Sequence, residues 1–115
     1  MPRRDWYCED VLSGKMKVEV IWEDELALVF QHPFPDPKAK QHAVVVPKKH
    51  VKSALSPEAA NAKLLKSMML AVQNTATALG MEKTGDGFYV TFNAESPGVT
   101  PHMHWHIRAP IPKTE

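Results

Sequence analysis

His102-Met103-His104-Trp105-His106 sets three imidazoles at alternate positions near the end of the chain. Successive side chains of an extended strand point to opposite faces. The three rings therefore share one surface, and Met103, Trp105 and Ile107 share the other. Half of the six histidines lie in these five residues, so the pattern is not accidental. Imidazole is the side chain suited to nucleophile, proton-carrier or metal-ligand work near neutral pH.

The elements before this run follow from period and punctuation. Trp6 to Leu12 reads as a short helical turn closed by Ser13-Gly14. Residues 17–22 (Lys-Val-Glu-Val-Ile-Trp) alternate and are rich in β-formers, which predicts a strand. Glu23-Asp24-Glu25 is a turn, and residues 26–31 complete a hairpin. Pro33, Pro35 and Pro37 make 33–41 a loop, and 42–46 is a third strand stopped by Pro47. Ser56 as cap and Pro57 at the first position predict a helix running to Leu79 and ending at Gly80. Its apolar stripe is Leu65, Met68, Val72, Ala76 and Leu79. Asp86-Gly87 opens a fourth strand over 88–93, Glu95-Ser96-Pro97-Gly98 is a turn, and the histidine strand is the fifth.

This order predicts an α+β fold: a five-stranded antiparallel sheet with one long helix on one face. Met103 and Trp105 belong beneath the helix, and the histidines belong on the opposite, open face. The 115 residues form a single domain, with a core of about 6–108 and a tail over 109–115. A net charge of +1 gives no bulk attraction to nucleic acid or to membrane. No apolar run reaches the roughly 18 residues of a membrane span. The N-terminus has no apolar stretch after its charges, so no secretory signal is expected. One cysteine, Cys8, excludes an intrachain disulfide and fits a cytoplasmic location.

Three readings of the histidines compete. Burial as mere structure would demand hydrogen-bond partners for three polar rings together. Ligation of one metal by all three is poor, because in a strand His102 and His106 stand about 13 to 14 Å apart. Nucleophilic work by the central ring, with a neighbour to position it and another to meet developing charge, suits phosphorus chemistry.

His-x-His-x-His resembles the signature of the histidine triad (HIT) family of nucleotide hydrolases and transferases. Trp22-Glu23-Asp24-Glu25 with Leu28-Val29-Phe30, the stretch His42-Ala43-Val44-Val45-Val46-Pro47-Lys48-Lys49-His50, and Asn93 are similar to the family's further motifs. The complete triad and the short length resemble the Hint branch. The resemblance implies hydrolysis of a purine nucleoside phosphoramidate or related nucleotidyl compound, with release of a nucleoside monophosphate. The alternatives are a dinucleoside polyphosphate hydrolase of the Fhit type and a nucleotide-binding module with little turnover.

The same resemblance implies residue roles. His104 is the nucleophile, His106 binds the phosphate and assists the leaving group, and His102 orients, linked to His42. Asn93 contacts the ribose-phosphate, and Tyr7, Cys8, Val11 and Phe30 line the purine cleft. His32 stands where the family carries an aspartate that grips the ribose hydroxyls, and Asp36 is the other candidate for that contact. Thr100 is a candidate substrate hydroxyl. Arg108, at a position usually apolar, is either a second phosphate anchor or a solvated strand end. Lys48 and Lys49 read as a solvated strand end, and His50 as the start of a turn. The resemblance also implies a homodimer joined into a ten-stranded sheet. Some family members carry zinc on two cysteines and two histidines. The first of those cysteines has no counterpart here, so neither a metal nor another cofactor is expected.

Overall fold

The computed structural model describes residues 5–83, 87–94 and 100–110. It holds one antiparallel sheet of five strands in the order β1-β2-β3-β5-β4, with β1 Val20–Glu23, β2 Ala27–Gln31, β3 Ala39–Pro47, β4 Tyr89–Thr91 and β5 Trp105–Pro110. One long helix, α1, spans Ala62–Ala78. The α+β architecture is the expected one. Among the described residues, no helix is long and apolar enough to cross a membrane.

The alternation of the strands divides the core in two. Ala27, Val29, Ala43, Val45, Ile107 and Ala109 face α1 and pack with Leu64, Met68, Ala71, Val72 and Ala76. Met103 is buried in this cluster, and Trp105 packs against it. Leu28, Phe30, Val44 and Val46 point to the other face and meet Tyr7 and Val11. That face is not open. The turn over Tyr7–Leu12, a single wide helical turn, folds across it and buries the Tyr7 ring completely. Gly14, at φ +85°, lets the chain turn back from it.

The acidic turn of the hairpin is held by one side chain. Asp24 Oδ1 accepts from the amides of Leu26 and Ala27 at 2.8 and 2.9 Å, and Oδ2 accepts from Ser67 Oγ of α1 at 2.7 Å. The hairpin is thereby tied to the helix.

Several boundaries differ from the sequence reading. The first strand starts at Val20 rather than at 17, with a register shift between Val20 and Trp22. The third begins at Ala39, inside the expected loop, because Ala39 and Gln41 pair with Pro110 and Ala109. Pro47 does not stop it: this residue still pairs with Ala27, and its carbonyl has a partner described below. The expected helix is in two pieces. A 3-10 turn covers Pro57–Ala60, the chain is extended at Asn61, and α1 follows. Ser56 Oγ accepts from the Ser53 amide instead of capping, and Asn61 Oδ1 caps α1 through the Leu64 amide at 3.0 Å. The apolar stripe shifts accordingly, with Leu64 buried and Leu65 exposed. The helix ends where expected, Gly80 adopting φ +69°. The fourth strand is only Tyr89–Thr91, and β5 starts at Trp105, so His102 and His104 precede the strand. The 95–98 turn and residue 86 lie outside the described residues.

Asn61 holds the first turn of α1 by its side chain, so replacement with alanine should cost about 1 kcal/mol. Urea unfolding of Asn61→Ala would show a lower midpoint at unchanged slope.

Candidate functional site

Backbone register assembles the polar face. Val44 pairs with His106 and His42 with Arg108 across β3 and β5, while Phe30 pairs with Val44 on the β2 side. His42, His106 and Arg108 thus project from one surface of the sheet, beside Phe30. His104 joins them just before β5 begins, its ring centroid 5.0 Å from that of His106 and 5.0 Å from that of Tyr7.

The hydrogen bonds assign the protons. A backbone amide can only donate, so the Asp36 N–H donates to His42 Nδ1 at 2.9 Å. The hydrogen of a neutral His42 is then on Nε2, and it donates to His106 Nδ1 at 2.8 Å. His106 in turn carries its hydrogen on Nε2. His104 Nδ1 lies 2.6 Å from the His102 carbonyl, to which it can only donate, so the lone pair of a neutral His104 is on Nε2. One ring therefore offers a nucleophilic nitrogen and its neighbour offers an N–H donor. The expected link of His102 to His42 is not made; His42 pairs with His106.

The electrostatics agree with neutral rings. Burial holds the imidazole of His104 below its ordinary range. Burial, with Arg108 and the neighbouring imidazoles as lesser causes, lowers His106 to about 3 and His42 to about 4. His32 is lowered by burial and by Arg108.

His102 belongs to a second cluster. Its ring is fully buried, and Nε2 donates to the Pro47 carbonyl at 2.9 Å. That leaves the lone pair of a neutral ring on Nδ1, which lies 3.2 Å from Cys8 Sγ and 3.1 Å from Asp5 Oδ2. His50 Nδ1 is 2.7 Å from the same carboxylate oxygen. The donor atoms of Asp5, Cys8, His50 and His102 all lie within 4.8 Å of one another. His50 is therefore more than the start of a turn. Burial and hydrogen bonding to Asp5 push the Cys8 thiol up to about 11.

The remaining candidates are placed as follows. Tyr7, Val11 and Phe30 form one apolar cluster, and all three side chains are buried in it. His32 stacks on His42 with centroids 4.5 Å apart. Thr100 Oγ1 accepts from Trp6 Nε1 at 3.1 Å and is buried, so its hydroxyl braces the N-terminal turn. Pro101 allows a tight turn, in which the His102 amide donates to the Thr100 carbonyl at 2.8 Å. Arg108 is not a solvated strand end: Nη1 donates to Thr91 Oγ1 at 2.9 Å, and Nε is 3.2 Å from Asp36 Oδ2. Lys48 pairs with Glu23 at 2.7 Å. Asn93 is exposed and outside any strand. Asp5 was missed by the sequence reading; its spacing of three from Cys8 was the available signal.

Comparison with known proteins places this arrangement in a class. The family model described as "Scavenger mRNA decapping enzyme C-term binding" matches residues 5–114. A HIT-like protein of Synechocystis sp. is 31% identical over 101 residues, covering 84% of this chain and 82% of that protein. The chain belongs to the HIT family. Among its relatives, the adenosine 5'-monophosphoramidase HINT3 of Danio rerio is 32% identical over 108 residues, 90% of this chain; the match spans 63% of that protein's length. A histidine triad protein from Clostridium difficile superposes with a TM-score of 0.77 at 28% identity, each chain covered in full.

Zinc was not expected, because a cysteine is missing. The structure corrects the ground for that expectation, since the carboxylate of Asp5 reaches the cluster. Asp5 Oδ2 and the His102 Nδ1 lone pair face each other at 3.1 Å, two electron-rich atoms that need a proton or a metal cation between them. Carboxylate, thiolate and two imidazoles are donors a tetrahedral zinc accepts, and the Pro47 carbonyl fixes the His102 tautomer as ligation requires. Zinc added to metal-free protein should raise the melting temperature, by the equivalent of about 2.7 kcal/mol at a hundredfold excess over Kd. Calorimetric melts of Cys8→Ala and Asp5→Ala should lose that increment.

The lowered histidines also set a pH dependence. His42 and His106 bind protons more weakly folded than unfolded, so stability is full above about 6.5 and falls with pH towards about 4 for His42 and about 3 for His106. Urea melts across that interval should show the loss, with a smaller slope in His42→Gln.

Proposed function

We propose that the protein hydrolyses a purine nucleoside phosphoramidate or a related nucleotidyl compound through a covalent intermediate on His104. The observation that carries this reading is the assignment of hydrogens. His104 has its lone pair on Nε2 because Nδ1–H is held by the His102 carbonyl. His106 has its hydrogen on Nε2 because Nδ1 accepts from His42. Nucleophile and donor therefore stand side by side in their working tautomers before substrate arrives.

The resemblance puts the purine at the edge of the Phe30, Val11 and Tyr7 cluster, beside Cys8. His104 Nε2 attacks the α-phosphorus of the nitrogen-protonated phosphoramidate, the phosphorus–nitrogen bond breaks, and the leaving group departs as the neutral amine. His106 Nε2–H donates to the group that carries the developing charge. Water then cleaves the phosphorus–His104 bond and releases the nucleoside monophosphate. Thr100 and Asn93 border the site, Thr100 through its brace to Trp6. Zinc held by Asp5, Cys8, His50 and His102 would supply a structural clamp on the N-terminal turn. His102, held through its ring, offers its carbonyl to His104. The activity named for the zebrafish relative supports this substrate class, and the low pKa values support neutral imidazoles at work near pH 7.

A dinucleoside polyphosphate hydrolase would use the same side chains with another leaving group. A homodimer is the assembly we propose, since the edge strand β4 and the residue after it leave Tyr89, Val90 and Phe92 between 38 and 49% exposed.

Adenosine phosphoramidate, diadenosine polyphosphates and AMP release measured with and without chelator test the reading. His104→Ala should lose several orders of magnitude in kcat while still binding AMP. A near-normal rate in that variant would sink the covalent mechanism. Because burial lowers His104, kcat/KM should persist below the ordinary imidazole pKa of 6.5 as pH falls.

A further inference from the structure

Two departures from the family pattern, His32 and Arg108, meet in one place. Phe30, Val44, His106 and Thr91 form one row of paired residues across β2, β3, β5 and β4. The next row on the same face carries His42 paired with Arg108, and His32, whose amide donates to the His42 carbonyl at 2.9 Å. The rows are about 6.6 Å apart, two residues along a strand.

The second row is a set of donors. His32 Nδ1 accepts from the Phe34 amide at 2.9 Å, so the hydrogen of the neutral ring is on Nε2. A ring nitrogen of His32 lies within 4.8 Å of ring nitrogens of both His42 and His106. Arg108 has five N–H groups. One donates to Thr91, and buried Nε, although 3.2 Å from Asp36 Oδ2, makes no hydrogen bond. Asp36 is turned towards other partners: it faces Arg108 through Oδ2 and accepts from the Lys38 amide through Oδ1 at 2.9 Å. The row therefore offers hydrogen-bond donors and a guanidinium, where a pair of ribose hydroxyls would call for an acceptor.

The inference rests on the nucleotide reading above. In that reading the base lies at the edge of the Phe30 cluster and the reacting phosphorus near His106, with the sugar over the adjacent His32–Arg108 row. We propose that this row binds a phosphate esterified to the ribose, and that the preferred substrates are nucleotides phosphorylated at the 2'- or 3'-hydroxyl as well as at the 5' position. A row spacing of about 6.6 Å suits two phosphates separated by a sugar. Neighbouring phosphates of a polyphosphate share an oxygen and lie closer together. Dinucleotide-binding folds make the same exchange, a carboxylate for the free 2'-hydroxyl and an arginine for the 2'-phosphate. Arginine is the side chain whose fork matches a phosphate.

Isothermal titration of the full chain with AMP, adenosine 2',5'-bisphosphate and adenosine 3',5'-bisphosphate tests this. At least one bisphosphate should bind about ten- to a hundredfold tighter than AMP, the range of charge-assisted hydrogen bonds; the two arms identify the hydroxyl. The ratio of AMP to bisphosphate Kd should fall towards one in Arg108→Gln and in His32→Gln. Because each ratio is taken within one variant, a general loss of affinity cancels, and either variant suffices if the other fails to fold. AMP binding with a ratio near one in the unaltered protein would overturn this inference and leave the proposed reaction standing. A ratio that survives both substitutions would also overturn it. Failure of all three ligands to bind would overturn both.

Discussion

The hydrogen bond from His42 Nε2 to His106 Nδ1, 2.8 Å long, is the constraint on which the site depends. It exists because β3 and β5 pair in a register that sets His42 one row from His106 on the same face. Its direction exists because the Asp36 amide occupies the other nitrogen of His42. A slip of β5 by one residue in that register would turn His106 and Arg108 towards the helix, away from His42. The Asp36 amide, between Pro35 and Pro37, occupies a nitrogen of a ring that would otherwise be free to take either tautomer. The geometry of the histidines is thus written in backbone hydrogen bonds as much as in side chains.

His102 joins the two clusters. Its ring faces Pro47, Asp5 and Cys8, while its carbonyl accepts the Nδ1 hydrogen of His104. Anything that fixes the ring, whether the hydrogen bonds seen here or a bound cation, also fixes the acceptor that sets the His104 tautomer. The first histidine of the run is structural in contact and functional in consequence. Burial completes the arrangement. Tyr7 is packed against His104 and the Phe30 cluster, which keeps water from the rings and disfavours their charged forms.

The sheet, its single long helix and the side of the sheet that the helix covers were legible in the chain, because periods of two and 3.6 are properties of local sequence. Met103 and Trp105 were assigned beneath the helix on that ground alone; Met103 is buried there, and Trp105 packs against the same cluster. The breaks were harder. Ser56-Pro57 is as good a helix start as Asn61, and only the Ser53 amide, which takes the Ser56 hydroxyl, decides between them. Ala39 and Gln41 look like loop residues until Pro110 and Ala109 arrive opposite them. Pairing partners distant in sequence decide where a strand ends.

For the site, the alternation of His102, His104 and His106 marked the segment in the sequence, and the resemblance it carries led to the HIT family. What the sequence could not determine was which ring holds which proton, because tautomers follow from partners far away in the chain: Asp36 for His42, His42 for His106. Nor could it show that Asp5 and His50 converge on Cys8, or that Arg108 and His32 share a row. Those are distances between segments, and only the packing of the sheet, with the N-terminal turn laid across it, brings them within hydrogen-bond or Coulombic reach.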